Sequence, residues 1–314
     1  MTGNSIFVAL STFCEHDNTP LDLLINSGVN YKIHSTGKRI TKEEIILEAA
    51  DYDIIIAGVE NYDRNVLNHL KGLKSIVRCG VGVDSIDHIA AKEKNITILN
   101  TPDTPTTAVA ELALTMYLSL SRNLRMQANM MGEKKWQRLE AHLLSGKTLG
   151  IIGFGRIGKK IAELCKPFKL KILVHDPFLT DMEGMEEILV TSKDELLEKS
   201  DIVSVHASAR IPGTVIIDKA GFLKMKKNAF LVNLSRGGMI DEEALVTELK
   251  SGKLAGAALD VFGNEPYNGP LCNFENVILT PHSATLTIET RAAMELECVE
   301  KALHFLRGHS ENKA

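Results

Sequence analysis

A chain of 314 residues has room for one large domain or two ordinary ones. Its 44% hydrophobic and 24% charged content is that of a globular protein, and a formal net charge of -4 excludes a wholesale polyanion binder, so no nucleic-acid partner is expected. No stretch approaches the ~18 consecutive apolar residues of a membrane span, and the five cysteines (14, 79, 165, 272 and 298) are scattered without a Cys-x-x-Cys pair, a pattern that fits reduced thiols and suggests neither a disulfide framework nor a zinc site.

Met1–Ser5 lacks a basic leader and Ile6–Leu10 is too short for a signal core, so a cytoplasmic protein is expected, with no membrane and no metal. Ile6–Leu10, Tyr31–His34, Asp53–Ala57, Ser75–Arg78 and Ile96–Leu99 read as strands, with helical stretches between them such as Thr41–Ala50, where Thr41 and Glu44 have capping-box spacing. Asn100–Pro105 breaks the pattern with two prolines. Thr107–Leu120 follows as a helix apolar nearly all round, which implies burial against a second domain or a partner subunit.

A second series starts at Lys147, with strands Thr148–Ile152, Lys171–His175, Ile202–His206, Phe230–Leu234, Ala255–Val261 and Val277–Thr280. Its helices start at Arg156, span Ser192–Lys199 (Ser192 and Glu195 again at capping-box spacing) and Asp241–Ser251, and close the chain from Ile288 to about Gly308. Buried, non-alternating strands joined by helices mean parallel sheets. Two α/β units are therefore expected, divided near residue 100.

Gly153-Phe154-Gly155-Arg156-Ile157-Gly158 is a G-x-G-x-x-G. By itself such a pattern is weak, since a plain glycine turn also satisfies it. Here it follows a predicted strand and opens a predicted helix, the context of a dinucleotide pyrophosphate at a helix N-terminus. Asp176, at the end of the next strand, is the expected acceptor for the ribose hydroxyls. A carboxylate there repels a 2′-phosphate and no arginine follows it, so NAD (NADH) is favoured over NADP.

Three further strand ends carry polar residues: Arg236, Asp260 with Glu265 just beyond, and His282. Arginine offers a planar fork for a carboxylate and an adjacent carbonyl. Histidine can carry the proton that accompanies hydride transfer, and a carboxylate beside an imidazole favours its charged form. Arg236, Glu265 and His282 thus suit a 2-oxo acid and a nicotinamide. By spacing alone, a surface or hydrogen-bonded structural role fits each of them as well.

The chain resembles the D-isomer-specific 2-hydroxyacid dehydrogenases, above all the short members related to D-3-phosphoglycerate dehydrogenase. The resemblance rests on Arg78–Asp84, Asn100-Thr101-Pro102, Ala108–Glu111, Gly146–Gly158, Asn233–Gly238, Gly256–Glu265 and Thr280-Pro281-His282. It implies two doubly wound parallel-sheet domains: a Rossmann NAD domain, residues 100–285, inserted into a flavodoxin-like cap for substrate, residues 1–99 with 286–314. Substrate would lie in the cleft. Arg236 would bind carboxylate and carbonyl, His282 would be the acid–base catalyst, and Glu265 its partner. Backbone N–H groups of Cys79, Gly80, Val81 and Gly82 would hold the carboxylate. Arg156 and Ile157 would meet the pyrophosphate, Asp176 the ribose and Asp260 the nicotinamide carboxamide, with Thr107, Ala207, Leu234 and Ser235 nearby. The helix from Thr107 would be buried across a homodimer.

The chain departs from the family at Ala207-Ser208-Ala209-Arg210, where a proline is usual, and at Ala57-Gly58-Val59-Glu60, where phosphoglycerate-specific relatives carry an arginine. Arg78 could serve a second acidic group of the substrate or form an internal ion pair. Formate dehydrogenases resemble the chain but carry glutamine in place of Glu265. A non-enzymatic NAD(H) sensor of the corepressor type is the alternative from another class, and the short tail Gly308–Ala314 leaves such a sensor no added partner-binding segment.

Overall fold

The structure is a computed structural model and describes residues 4–179, 187–208 and 213–311. The chain divides into two compact units, residues 1–105 with 286–314 and residues 106–285. The division falls after Pro105, beyond the Leu99 expected from the sequence. The last strand of the first sheet runs through Asn100, and Thr101 is tied back to that unit by accepting the Gly80 N–H at 2.8 Å.

The first unit is built from β1 (Ser5–Val8), α1 (Thr19–Ser27), β2 (Asn30–Ile33), α2 (Lys42–Glu48), β3 (Ile54–Ala57), α3 (Arg64–His69), β4 (Ser75–Arg78), α4 (His88–Glu93) and β5 (Thr97–Asn100). All its strand pairs are parallel, in the order β2-β1-β3-β4-β5. Successive side chains of a strand face opposite ways, so Ile6, Val8, Ile54 and Ile56 enter one core while Phe7, Ala9, Ile55 and Ala57 enter the other. Burial of both faces explains why the central strands read as unbroken apolar runs. Thr41 caps α2 with the full reciprocal box. Helices α3 and α4, not read from the sequence, start at Asp63 and Asp87, whose carboxylates accept the N–H three residues on.

The second unit runs α5 (Thr106–Ser121), α6 (Leu124–Gly132), β6 (Thr148–Ile152), α7 (Arg156–Cys165), β7 (Lys171–His175), β8 (Leu189–Val190), α8 (Lys193–Lys199), β9 (Ile202–Val205), α9 (Lys219–Lys224), β10 (Ala229–Asn233), α10 (Glu242–Lys250), β11 (Leu254–Leu259) and β12 (Val277–Leu279). Its parallel sheet has the order β12-β11-β10-β9-β6-β7-β8. The order reverses between β6 and β9, the switch point at which doubly wound sheets bind ligands.

Helix α5 puts Val109, Ala110, Ala113, Met116, Tyr117 and Leu120 into this unit's own core, together with Ile161 and Cys165 of α7. Much of the apolar surface expected to seek another domain or subunit is therefore spent locally, with Leu112, Leu114 and Leu118 left partly buried. Helix α6, which buries no residue, was not expected from the sequence. Ser192 caps α8, but the reciprocal half of the expected box is missing: the Glu195 carboxylate turns to Thr191 and Lys199.

The last helix, α11 (Ile288–Glu311), belongs to the first unit, where Met294, Cys298, Val299, Ala302, Leu303 and Leu306 complete the core beside β1, β3 and β4. Among the described residues no helix is long and apolar enough to cross a membrane. Ala209 and Arg210, singled out above, lie outside the described residues.

Candidate active site

The three glycines after β6 play three physical parts. Gly153 has φ +91, in the left-handed region, and a methyl there would stand 2.4 Å from the Ala207 nitrogen. A methyl on Gly158 would stand 2.5 Å from the Gly153 oxygen, so the helix lies close against the strand end. Gly155, the residue before α7, faces open space, with nothing within 4 Å of the place a methyl would take. Tight turn, open approach and close packing are what a pyrophosphate at a helix N-terminus requires. The residues fit the dinucleotide: Arg156 and Ile157 form the first turn of α7, and the Asp176 carboxylate adjoins the loop, accepting the N–H of Phe154 and of Phe178, each at 2.8 Å. Each oxygen keeps lone-pair capacity for a hydroxyl.

Across the switch point, His206 follows β9. Its Nε2 pairs with Ser204 Oγ at 2.6 Å, and Ser204 accepts from the buried Tyr117 hydroxyl at 2.7 Å. Desolvation pushes the His206 imidazole down to about 3, so it is neutral at physiological pH. Ala207 packs on Gly153 through its backbone. Leu234 and Ser235 follow β10 and are buried, with the Ser235 hydroxyl donating to Asn233 Oδ1 at 2.7 Å. Thr107 is exposed in the first turn of α5.

Arg236, Glu265 and His282 follow β10, β11 and β12, neighbouring strands of one sheet. His282 Nδ1 and Glu265 Oε2 are 2.8 Å apart, and Glu265 Oε1 accepts the Phe262 N–H at 3.1 Å. A carboxylate on Nδ1 fixes the ring and leaves Nε2 for a substrate. Arg236 is half-buried and donates from Nη1 to the Ser235 carbonyl at 2.8 Å. Gly237 locks its loop against the next one: a methyl there would stand 1.8 Å from the Phe262 carbonyl carbon.

Asp260 has a part the sequence did not reveal. It is 1% exposed, and its carboxylate accepts from the Thr280 hydroxyl at 2.5 Å, the Ser283 N–H at 2.8 Å, the Ala284 N–H at 2.9 Å and, more weakly, the Ser283 hydroxyl at 3.4 Å. These donors flank His282, whose φ of 52 is unusual for a side-chain-bearing residue. Expected as a carboxamide contact, Asp260 is thus first the anchor of the histidine loop. Asp260→Asn turns one acceptor oxygen into a donor facing donors, at a net cost of about 1.5–3 kcal/mol per bond to the charged group. Turnover should fall about tenfold to a hundredfold with NADH affinity little changed; a loss confined to NADH affinity would give the carboxylate to the cofactor instead.

In the first unit, two of the four N–H groups expected to hold the carboxylate are already used. The Cys79 N–H goes to the Ala57 carbonyl at 2.8 Å and the Gly80 N–H to Thr101 Oγ1. Among the described residues only those of Val81 and Gly82 keep their donors for a ligand. Thr101 explains the Asn100-Thr101-Pro102 motif: it is fully buried and holds Gly80 at φ +138. Arg78 donates to the Cys79 carbonyl and lies over Gly80, 2.7 Å from the place a methyl would take, so it braces the loop. Cys79 is buried, 3% exposed.

The chain is similar to known proteins of one family. Residues 114–284 match the family model described as D-isomer specific 2-hydroxyacid dehydrogenase, NAD binding domain. A D-3-phosphoglycerate dehydrogenase of Methanocaldococcus jannaschii is 38% identical over 275 residues, 86% of this chain and 52% of that protein, so the chain spans about half the length of that relative. A hydroxypyruvate reductase of Thermotoga maritima is 36% identical over 298 residues, 91% of this chain and 96% of that protein. The crystal structure of D-lactate dehydrogenase from Aquifex aeolicus, complexed with NAD and lactic acid, superposes with a TM-score of 0.84 at 26% identity, covering 98% of this chain and 97% of that one. The family model spans more than half of the chain, and these relatives, 36% and 38% identical, cover most of it, so the chain belongs to the D-isomer specific 2-hydroxyacid dehydrogenase family.

Proposed function

We propose that the chain is an NAD-dependent oxidoreductase that interconverts a D-2-hydroxy acid and its 2-oxo acid. The observation that carries this reading is the 2.8 Å pair of His282 and Glu265, with Arg236 on the neighbouring strand end. Arg236 binds the substrate carboxylate and carbonyl oxygen through its planar fork. In reduction, protonated His282 gives its Nε2 proton to the carbonyl oxygen; in oxidation, neutral His282 takes the hydroxyl proton. Glu265 holds Nδ1 and so orients the imidazole.

NAD supplies the hydride acceptor and donor. It would be held by Gly153, Gly155, Gly158, Arg156 and Ile157 at the pyrophosphate and Asp176 at the ribose, with Thr107, Ala207, Leu234 and Ser235 on the nicotinamide and adenine sides. The partly buried leucines of α5 support a homodimer, which light scattering of the purified chain tests. The name of the Methanocaldococcus relative favours 3-phosphoglycerate as a second substrate reading, against which stands the stretch Ala57-Gly58-Val59-Glu60, with no arginine to meet a phosphate and an added acid.

NADH oxidation against a panel of 2-oxo acids tests the proposal: pyruvate, hydroxypyruvate, glyoxylate, 2-oxobutanoate, oxaloacetate and 3-phosphohydroxypyruvate. Reduction of at least one is expected. Tight NADH binding with silence across the panel would favour the sensor. NADH should be preferred over NADPH by about tenfold or more, the repulsion of a 2′-phosphate by Asp176 being an interaction of more than about 1.4 kcal/mol. Asp176→Asn should narrow that gap; an unchanged ratio would show that another group sets the preference.

A further inference from the structure

Two of the thiols meet inside the first unit. Cys79 directly follows β4, and Cys298 sits midway along α11, the helix that completes the core beside that strand. Both belong to one apolar cluster, Cys79 3% exposed and Cys298 fully buried, and their side chains are hydrogen-bonded to each other. Arg291, Glu295 and Cys298 recur at the spacing of one helical face. The stripe of α11 that brings a thiol to Cys79 therefore brings a cation as well. Arg291 Nη1 donates to Cys79 Sγ at 3.8 Å, while its Nη2 is fixed by Thr12 Oγ1 at 3.1 Å and by Glu295 Oε1 at 2.7 Å.

A thiol buried among apolar groups is ordinarily inert, because those surroundings disfavour the thiolate. Cys165 behaves so: desolvation pushes it up to about 12. Cys14 is pushed up to about 11, by burial first and then by nearby carboxylates. Cys79 goes the other way. The hydrogen bond with Cys298, and after it the charges of Arg291 and Arg78, hold Cys79 below the ordinary thiol value in spite of its burial. The same bond pushes Cys298 well up. The two sulfurs thus share one proton, with the anion on Cys79 and the hydrogen on Cys298.

We propose that Cys79 and Cys298 are a redox-sensitive pair, in which hydrogen peroxide oxidises Cys79 and Cys298 closes a disulfide onto it. The Cys79 thiolate attacks one peroxide oxygen, the O–O bond breaks, and the leaving hydroxide becomes water with the proton that Cys79 gave up. Cys298 then attacks the sulfur of the sulfenic acid. Its S–O bond breaks, and the leaving hydroxide takes the Cys298 proton as a second water. Two thiols lose two electrons and one peroxide gains them. Only Cys79 has to meet the oxidant, which is little larger than water; Cys298 attacks from within the core. The bond ties α11 to the end of β4, and it involves the first unit alone, independently of the reaction proposed above.

The experiment treats the folded chain with hydrogen peroxide, denatures it in iodoacetamide and digests it with trypsin. Cleavage after Arg78, Lys92, Arg291 and Lys301 puts the two cysteines in separate peptides, 79–92 and 292–301. The expected result is one joined species that dithiothreitol separates, with an intact mass lower by two hydrogens and Cys14 and Cys165 still alkylated. In Cys298→Ser the reaction should stop at the sulfenic acid, read as a dimedone adduct on peptide 79–92. Recovery of both peptides as alkylated thiols while Cys14 or the exposed Cys272 is oxidised would overturn the proposal. So would Cys79 bridged to another cysteine, or carried to the sulfinic acid with Cys298 still a thiol. A link that forms only in urea would overturn it too. The wild-type digest decides these points whether or not the variant folds.

Discussion

Replacement of His282 by alanine should lower turnover by about a hundredfold to ten-thousandfold, the usual contribution of a positioned general acid, and leave NADH affinity intact. The imidazole is attached to the protein by one side-chain bond, Nδ1 to Glu265 at 2.8 Å, and nearly half of its surface is exposed, so its removal leaves no buried cavity. The loop around it is held independently by Asp260 through Thr280, Ser283 and Ala284. His282→Asn is the companion variant, since asparagine tolerates the left-handed backbone better than alanine. Steady-state turnover and a fluorescence titration with NADH check both. Loss of NADH affinity with the proton-transfer step intact would make His282 part of the cofactor pocket and sink its acid–base role.

Gly237→Ala should be almost as damaging, for a steric reason. The added methyl would lie 1.8 Å from the Phe262 carbonyl carbon and 2.1 Å from its oxygen, both backbone atoms with no rotamer in which to escape. The loop after β10 or the loop after β11 must move. The first carries Arg236 and the second carries Glu265, whose Oε1 is fixed by the Phe262 N–H. Overpacking of this kind costs about 1–3 kcal/mol of stability, and a displacement of about 1 Å at a catalytic group can cost about a hundredfold in rate. Gly238→Ala is the control, because nothing stands within 4 Å of its methyl. A thermal melt and a rate measurement on the pair decide the matter; equal behaviour of the two variants would show that the contact does not position the site.

Much of this was legible before any coordinates. The glycine loop could be read because its strand, turn and helix are consecutive in the chain. Thr41 with Glu44 could be read for the same reason: a reciprocal cap needs only three residues of spacing. Helices α3, α4 and α9 went unread although Asp63, Asp87 and Asp218 marked their starts, because each is only six residues long and shows little periodicity. Helix α6 also went unread, and it buries no residue.

The sequence by itself determined two parallel α/β units and the glycine loop that opens a helix, and it singled out Arg236, Glu265 and His282 as candidates, since those features follow from local periodicity, from short spacings and from family motifs. Tertiary structure alone decided which groups were already occupied. It committed the Cys79 and Gly80 N–H groups to Ala57 and Thr101, turned Asp260 toward the histidine loop, and set Gly237 against Phe262. It also joined Cys14 to Glu295 across 281 positions of sequence. Such partners are chosen by which strand ends and helix turns lie side by side in the folded sheet, and hydrogen bonding at that range leaves no periodic trace along the chain.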